Sequence, residues 1–85
     1  MGEVGQIQNI QWAINMMRDG QKVMRSEWNG KNMWLKMQIP DENSKMTLPY
    51  IYIEYPEGHS AYPQGCRVPW LASQTDLLAT DWCLA

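Results

Sequence analysis

Two short segments carry side chains that suit the binding of a flat, polar ligand. In the first, Trp28 and Asn29 stand at an Asn-Gly turn, which places a large ring beside an amide that donates and accepts hydrogen bonds. A ring stacked on a nucleobase contributes roughly 1–3 kcal/mol, and an amide can bond a base edge or a ribose hydroxyl. The same residues also fit a tryptophan that anchors a hairpin while Asn29 serves the turn. The pattern leaves both interpretations open.

The second segment is Ser73-Gln74-Thr75-Asp76, which offers hydroxyls, an amide and the free N–H groups of a helix start. Such a start can hold a phosphate group. Ser73 followed by Asp76 also resembles a capping box with the shorter acid, so plain helix capping explains the same residues.

Residues for catalysis are poorly represented. His59 is the sole histidine and stands beside Ser60, but adjacent residues rarely form a nucleophile–base pair, and no third orienting group is identifiable. Asp76 and Asp81 could pair for acid–base work, yet caps or solvated faces explain them equally well. The sequence has no Walker-type loop, no GxGxxG and no metal-ligand cluster. We therefore expect a binding protein without a cofactor rather than an enzyme.

The composition predicts one small globular domain spanning residues 1–85. Hydrophobic residues make up 45% of the chain, with five Trp and four Tyr, but a chain of 85 residues buries a thin core. Cys66 and Cys83 could form one bridge or remain two thiols, and neither has metal-ligand spacing. Oligomerisation is then the favoured way to complete the core.

The charge pattern bears on partners. The net charge is −2 and no basic run exists, which disfavours a nucleic acid polymer but not a compact ligand with two or three phosphates. No apolar stretch is long enough to span a membrane and no signal peptide opens the chain, so we expect a cytosolic protein without a membrane partner.

Hydrophobic periodicity predicts the elements that position these residues. Ile10, Ile14 and Met17 form an apolar helical stripe with Ile7, and Gly20 suits a left-handed cap. Alternation and β-branched residues predict the strands. The expected elements are a helix over residues 7–19, strands over 21–26, 33–39, 50–55, 66–68 and 81–84, and a short helix over 77–79. We expect an α+β fold in which an N-terminal helix packs on a small antiparallel sheet, with a short second helix near the C-terminus.

Two longer motifs carry a family resemblance. The blocks WNGKNM (residues 28–33) and PWLASQTDLLATDW (residues 69–82), linked by Leu48-Pro49-Tyr50-Ile51, resemble the second Thoeris anti-defence family of small phage proteins. The resemblance covers nearly the whole chain. It differs at HSAYPQGC (residues 59–66), which is longer than the plain turn of the family and bears on ligand choice.

The resemblance implies a sponge that binds glyco-cyclic ADP-ribose, the signal made by bacterial TIR-domain proteins, in pockets between subunits of a homotetramer. Some relatives are similar in that respect and also hold cyclic di- or trinucleotides of CBASS immunity. The ligand stays intact, and the protein acts in the cytoplasm of the infected bacterial host.

The resemblance also implies roles for single residues. Trp28 would be the stacking ring and Asn29 its polar neighbour, while Ser73, Gln74, Thr75 and Asp76 would bond ribose and phosphate groups. Trp34 and Trp70 would be pocket wall or core, and Arg25 would meet a phosphate or serve at the surface.

Two other function classes remain open at this point. A nucleotide-degrading enzyme would need His59 or Asp76 for turnover. A protein-binding module would use the Trp- and Tyr-rich surface to block an immune protein directly.

Overall fold

A helix packed on one face of a five-stranded antiparallel sheet forms the core of the fold. The computed structural model describes residues 8–28 and 32–85. In chain order the elements are α1 (Ile10–Arg18), β1 (Val23–Arg25), a 3-10 turn (Ser26–Trp28), β2 (Trp34–Gln38), β3 (Tyr50–Tyr55), β4 (Cys66–Pro69), α2 (Gln74–Leu78) and β5 (Trp82–Leu84). The expected α+β class, with a short second helix near the C-terminus, is confirmed.

Helix α1 begins later than its apolar stripe predicted. Asn9 is the N-cap, and its side chain accepts a hydrogen bond from the Trp12 N–H at 2.9 Å. Gln8 is extended instead of helical, because it bridges Asp81 and its carbonyl accepts the Trp82 N–H at 3.1 Å. The predicted start at residue 7 lies outside the described residues. The helix ends as expected, with Gly20 in the left-handed region at φ 88°.

The strand order β4-β3-β2-β1-β5 places β2 at the centre of the sheet, between β3 and β1. Val23 pairs with Leu35, and Leu35 pairs with Ile53, so these three side chains form one row on the face that α1 covers. Ala13 and Met17 of α1 pack against that row and are buried with it. We call this side of the sheet the core face and the opposite side the outer face.

Strand β2 shows the predicted alternation and one departure from it. Leu35 is fully buried, and Met33 and Met37 pack against the core. Ile39 was predicted to share their face, but it follows the end of β2 and is 57% exposed. The prediction is wrong there because alternation orients a side chain only while the residue pairs within the sheet.

Several chain connections meet at one end of the sheet. There β1 ends at Arg25, which pairs with Trp82 at the start of β5. In the same region β2 begins at Trp34, opposite Glu54 near the end of β3. This end, which we call the Arg25 end, therefore collects the β1–β2 connection, the β3–β4 loop and the link from α2 to β5.

The strand order settles the cysteine question within one chain. Cys66 lies on β4 and Cys83 on β5, and both are free thiols. These are the two edge strands of the sheet, with three strands between them. At the usual strand spacing they are about 19 Å apart, and a disulfide requires Cα atoms within about 7 Å.

Candidate functional site

Arg25 binds three carboxylates at the Arg25 end of the sheet. Its Nε donates to Asp81 at 2.9 Å, one terminal nitrogen donates to Asp76 at 2.8 Å, and the other donates to Glu27 at 2.9 Å. The Arg25 residue is 6% exposed. The surface role left open for Arg25 is therefore wrong, because the residue is buried and each of its three guanidinium nitrogens donates to a carboxylate.

The ion pairs set the charge state of Asp76 and Asp81. Burial is the largest single influence and would raise the pKa of each carboxyl, but the hydrogen bonds from Arg25 and from neighbouring groups, together with the Arg25 charge, outweigh it and hold both pKa values below the ordinary value. Asp81 is bonded further by the Glu27 N–H at 2.9 Å and the Ser26 hydroxyl at 3.1 Å. The pKa of Arg25 is raised by its bonds to Asp81 and Asp76. Arg25, Asp76 and Asp81 are therefore all charged at neutral pH.

The start of α2 forms the predicted capping box. The Ser73 hydroxyl accepts the Asp76 N–H at 3.1 Å, and the Asp76 carboxylate accepts the Ser73 N–H at 3.3 Å. The hydroxyls of Ser73 and Thr75 share a hydrogen bond of 2.9 Å, and Gln74 is exposed. Capping is thus observed, and because the same Asp76 bonds Arg25, the cap joins α2 to β1.

Two tryptophans pack edge-on against Trp82 next to this network. Trp28 lies edge-on to Trp82 with ring centroids 5.5 Å apart, and Trp70 lies edge-on at 5.9 Å. The Trp82 ring N–H donates to the Asp76 carbonyl at 3.2 Å. Trp28 is 8% exposed, so within the protomer it packs in the core as the hairpin-anchor interpretation expects.

Trp34 lies apart from these residues, on the outer face of the sheet. Its ring N–H donates to Glu54 at 3.3 Å, and the Lys22 ammonium lies 4.3 Å from the ring centroid. The fold therefore brings together Arg25, Trp28, Trp70 and the residues from Ser73 to Asp76, but not Trp34. Asn29 lies outside the described residues, and its role stays a prediction.

Comparisons with known proteins agree with the motif blocks. The family model for the Thoeris anti-defense 2-like domain matches residues 8–85. The chain belongs to this family. The Thoeris anti-defense 2 protein of Bacillus phage SP01 is 31% identical over an 85-residue alignment covering 82% of this chain and 85% of the relative. Membership supports a role against Thoeris defence.

A cluster of aromatic side chains in this Thoeris anti-defense 2-like chain was missed by the sequence interpretation. In the β3–β4 loop the rings of Tyr55 and Tyr62 lie 4.6 Å apart, and that of His59 lies 4.8 Å from Tyr55. They line a cavity of about 630 Å³ together with Asn32 and Met33. The spacing of His59 and Tyr62, three residues apart among Pro and Gly residues, is the signal that could have indicated it.

Asp81 was also missed as a member of the Arg25 cluster. The sequence shows it as a polar residue next to Trp82, whereas its partner Arg25 stands 56 residues earlier. Among residues 8–28 and 32–85, no three His, Cys, Asp or Glu side chains gather in a way that could hold a metal ion. Within the same residues no helix has the length and apolar character needed to cross a membrane.

Proposed function

We propose that this protein binds glyco-cyclic ADP-ribose made by TIR-domain proteins and sequesters it without changing it chemically. The observation that carries the proposal is the family match over residues 8–85, which includes the whole block from residue 69 to residue 82. A sponge must outcompete a sensitive receptor, so its dissociation constant must be near nanomolar, which corresponds to a binding free energy of about −12 kcal/mol. It acts in the cytoplasm of the infected bacterium, where the signal is produced.

The geometry of the Arg25 end supports a prebuilt binding site. Arg25 donates hydrogen bonds to Asp76, Asp81 and Glu27, and through Asp76 it holds the start of α2 in place. The N–H groups of Gln74 and Thr75 have no partner among the described residues and remain free to bond ribose or phosphate oxygens. A site held rigid before binding loses less entropy when the ligand arrives.

The protonation states at this end favour binding over turnover. Asp76 and Asp81 are bonded to Arg25, and their lowered pKa values make them poor proton donors at neutral pH. The Nδ1 atom of His59 accepts the Ala61 N–H at 3.0 Å, which occupies the nitrogen that a general base would use. We therefore propose that the protein has no catalytic step.

Exposed leucines support the proposal that the protein assembles as a homo-oligomer, a tetramer by family resemblance. Leu71 is 93% exposed, Leu78 is 78% exposed and Leu84 is 51% exposed. The described residues have ten large hydrophobic side chains exposed and eight hydrophobic residues buried. So much exposed apolar surface on a thin core is typical of a chain that completes its core against copies of itself.

Recovery of the ligand tests the proposal most simply. Glyco-cyclic ADP-ribose is incubated with excess protein, the protein is denatured by heat, and the released compound is analysed by mass spectrometry. We expect the ligand to disappear from the free fraction and to return unchanged in mass. A linear product would reject sequestration and favour a nucleotide-degrading enzyme. A panel of cyclic di- and trinucleotides tests the wider ligand range.

A second candidate, direct binding of an immune protein, rests on the same exposed leucines. Leu71 and Leu78 could contact a host protein instead of another protomer. Capture of one purified Thoeris protein, with no binding of any nucleotide in the panel, would favour that candidate over the sponge.

A further inference from the structure

The aromatic cavity of the β3–β4 loop opens at the same end of the sheet as the Arg25 cluster. Tyr55 ends β3 at this end, and Met33 leads into β2 there. Both side chains pack against the core, so the cavity lies on the core face, as Trp28 does. Its volume of about 630 Å³ is within the range of ligand clefts.

Ring faces that the protomer leaves uncovered line this cavity. Tyr62 is 44% exposed and His59 is partly exposed, and their rings are inclined by 31° with centroids 5.9 Å apart. The Tyr55 ring packs against both of them, with its centroid 4.8 Å from that of His59 and 4.6 Å from that of Tyr62. Trp28, which the sequence predicted as the stacking ring, is 8% exposed and packs edge-on against Trp82. On the core face at this end, the more accessible rings therefore belong to the loop.

Backbone hydrogen bonds hold the loop in shape before any ligand arrives. The Gly58 N–H bonds the Pro63 carbonyl at 2.9 Å, and the Gly65 N–H bonds the Tyr62 carbonyl at 2.8 Å. Gly65 has φ 77°, and a Cβ there would lie 2.9 Å from the Tyr55 carbonyl oxygen, so only glycine fits without a shift. The rings are thus presented on a preorganised support.

The lining chemistry selects a neutral flat ring over a phosphate. The cavity is lined by Asn32, Met33, Tyr55, His59, Ser60 and Tyr62, with the small residues Gly58 and Ala61, and none of these is Lys, Arg, Asp or Glu. Because Nδ1 of His59 accepts the Ala61 N–H, its Nε2 carries a proton and can donate. The Asn32 amide donates and accepts, as the edge of a purine requires.

We propose that this aromatic cavity binds the adenine ring of the cyclic nucleotide and makes the β3–β4 loop a determinant of ligand choice. The proposal rests on the proposed function and adds to it the place of the base. Stacking on one ring contributes a factor of roughly ten or more in affinity.

Replacement of Tyr62 tests the proposal. Calorimetry with glyco-cyclic ADP-ribose should show affinity lowered roughly tenfold or more for Tyr62→Ala and near wild type for Tyr62→Phe, which keeps the ring. Tyr50→Ala is the matched control, because Tyr50 is a similarly exposed tyrosine, 36% against 44%, at the other end of the sheet. Equal affinity of Tyr62→Ala and wild type, with both proteins folded by circular dichroism, overturns the proposal and leaves sequestration standing.

If the wild type does not bind glyco-cyclic ADP-ribose, nuclear magnetic resonance shows whether the aromatic cavity still binds an adenine ring, so failure of the proposed function is distinguished from failure of the cavity proposal. Adenosine monophosphate is titrated into wild-type protein, with ribose 5-phosphate as the probe that lacks the base. Shifts at Met33, Ala61 and Tyr62 with the first probe and not with the second support the cavity even if the proposed signal is wrong. Absence of shifts there with both probes rejects the cavity.

Discussion

Replacement of Arg25 should destabilise the fold strongly. Its buried guanidinium balances Asp76 and Asp81, which stand at the start of α2 and the start of β5. Without it, two partly buried carboxylates lose their counter-charge, and desolvated charges without a partner are strongly destabilising. Arg67 offers a contrast, since its side chain is 68% exposed and its one ion pair, with Glu54, is 3.4 Å long.

We expect Arg25→Met to lower the free energy of unfolding by about 3–5 kcal/mol, and Arg67→Met to change it by about 1 kcal/mol or less. Urea denaturation at one fixed protein concentration measures both, because association would otherwise add to apparent stability. Similar losses for the two variants would show that Arg25 does not hold the fold as described.

Lowering the pH should weaken the ion pairs of Arg25 with Asp76 and Asp81. The folded-state pKa values of Asp76 and Asp81 are lowered, so the unfolded chain binds protons first as the pH falls. The stabilisation is complete above the ordinary carboxyl pKa of about 4 and is lost as the pH falls through the lower folded values. The raised pKa of Arg25 does not contribute in this range.

Unfolding free energy measured from about pH 6 to about pH 2 should therefore decline below about pH 4, and Asp76→Asn should reduce the slope. Glu42→Gln, at an exposed loop residue, serves as the control and should retain the wild-type slope. A slope in Asp76→Asn as steep as in the wild type contradicts the assignment.

Residue types indicated the chemistry of the site but not its pairings. Arg25 was recognised as a site candidate, yet its partners are 51 and 56 residues away, and no local pattern encodes such contacts. The capping box was predictable because Ser73 and Asp76 are three residues apart. The burial of Trp28 depends on Trp82 from the other end of the chain, so stacking and packing could not be distinguished.

Helix α2 shows how an element depends on its cap. It has five residues, too few for a helix to be stable through its own hydrogen bonds. The Ser73 hydroxyl supplies the Asp76 N–H with a partner, and Asp76 connects the helix to Arg25. The cap therefore holds both the helix and the loop that leads into it.

Loss of the cap should be measurable in the intact chain. We expect Ser73→Ala to lower the free energy of unfolding by about 1 kcal/mol, while Gln74→Ala, an exposed neighbour, changes it by no more than about 0.5 kcal/mol. Thermal and urea unfolding measure the difference. No loss on Ser73→Ala would mean that packing alone holds α2.

Strong local patterns located the elements well. The predicted strand over residues 50–55 is observed as Tyr50–Tyr55, because β-branched and aromatic residues alternate there on a half-buried surface. The start of α1 was predicted too early, since Gln8 bonds to β5 instead of continuing the helix. Hydrophobic periodicity does not indicate a hydrogen bond between residues so far apart in the sequence.

The whole protomer leaves apolar surface that its own chain does not cover. Its longest dimensions are 45 × 32 × 21 Å, a thin slab with α1 on the core face alone. Leu71 and Leu78 lie outside the core cluster and are the most exposed of its leucines among the described residues. These features support the proposed self-association.

A charge at this surface should disrupt the assembly. We expect wild-type protein to sediment at a multiple of 9.9 kDa, and Leu78→Glu to sediment at a lower mass while retaining its circular dichroism. Gln11→Glu, on the exposed side of α1, is the control and should sediment as the wild type does. A wild-type mass of one protomer at all concentrations rejects self-association.

Calorimetric titration of wild-type protein with glyco-cyclic ADP-ribose tests the central claim most directly, with linear ADP-ribose as the comparison. The account predicts a dissociation constant near nanomolar for the cyclic compound and weaker binding of the linear one, since a preorganised site favours a ligand already held in a ring. Absence of heat with the cyclic compound, from protein shown to be folded, would contradict the account.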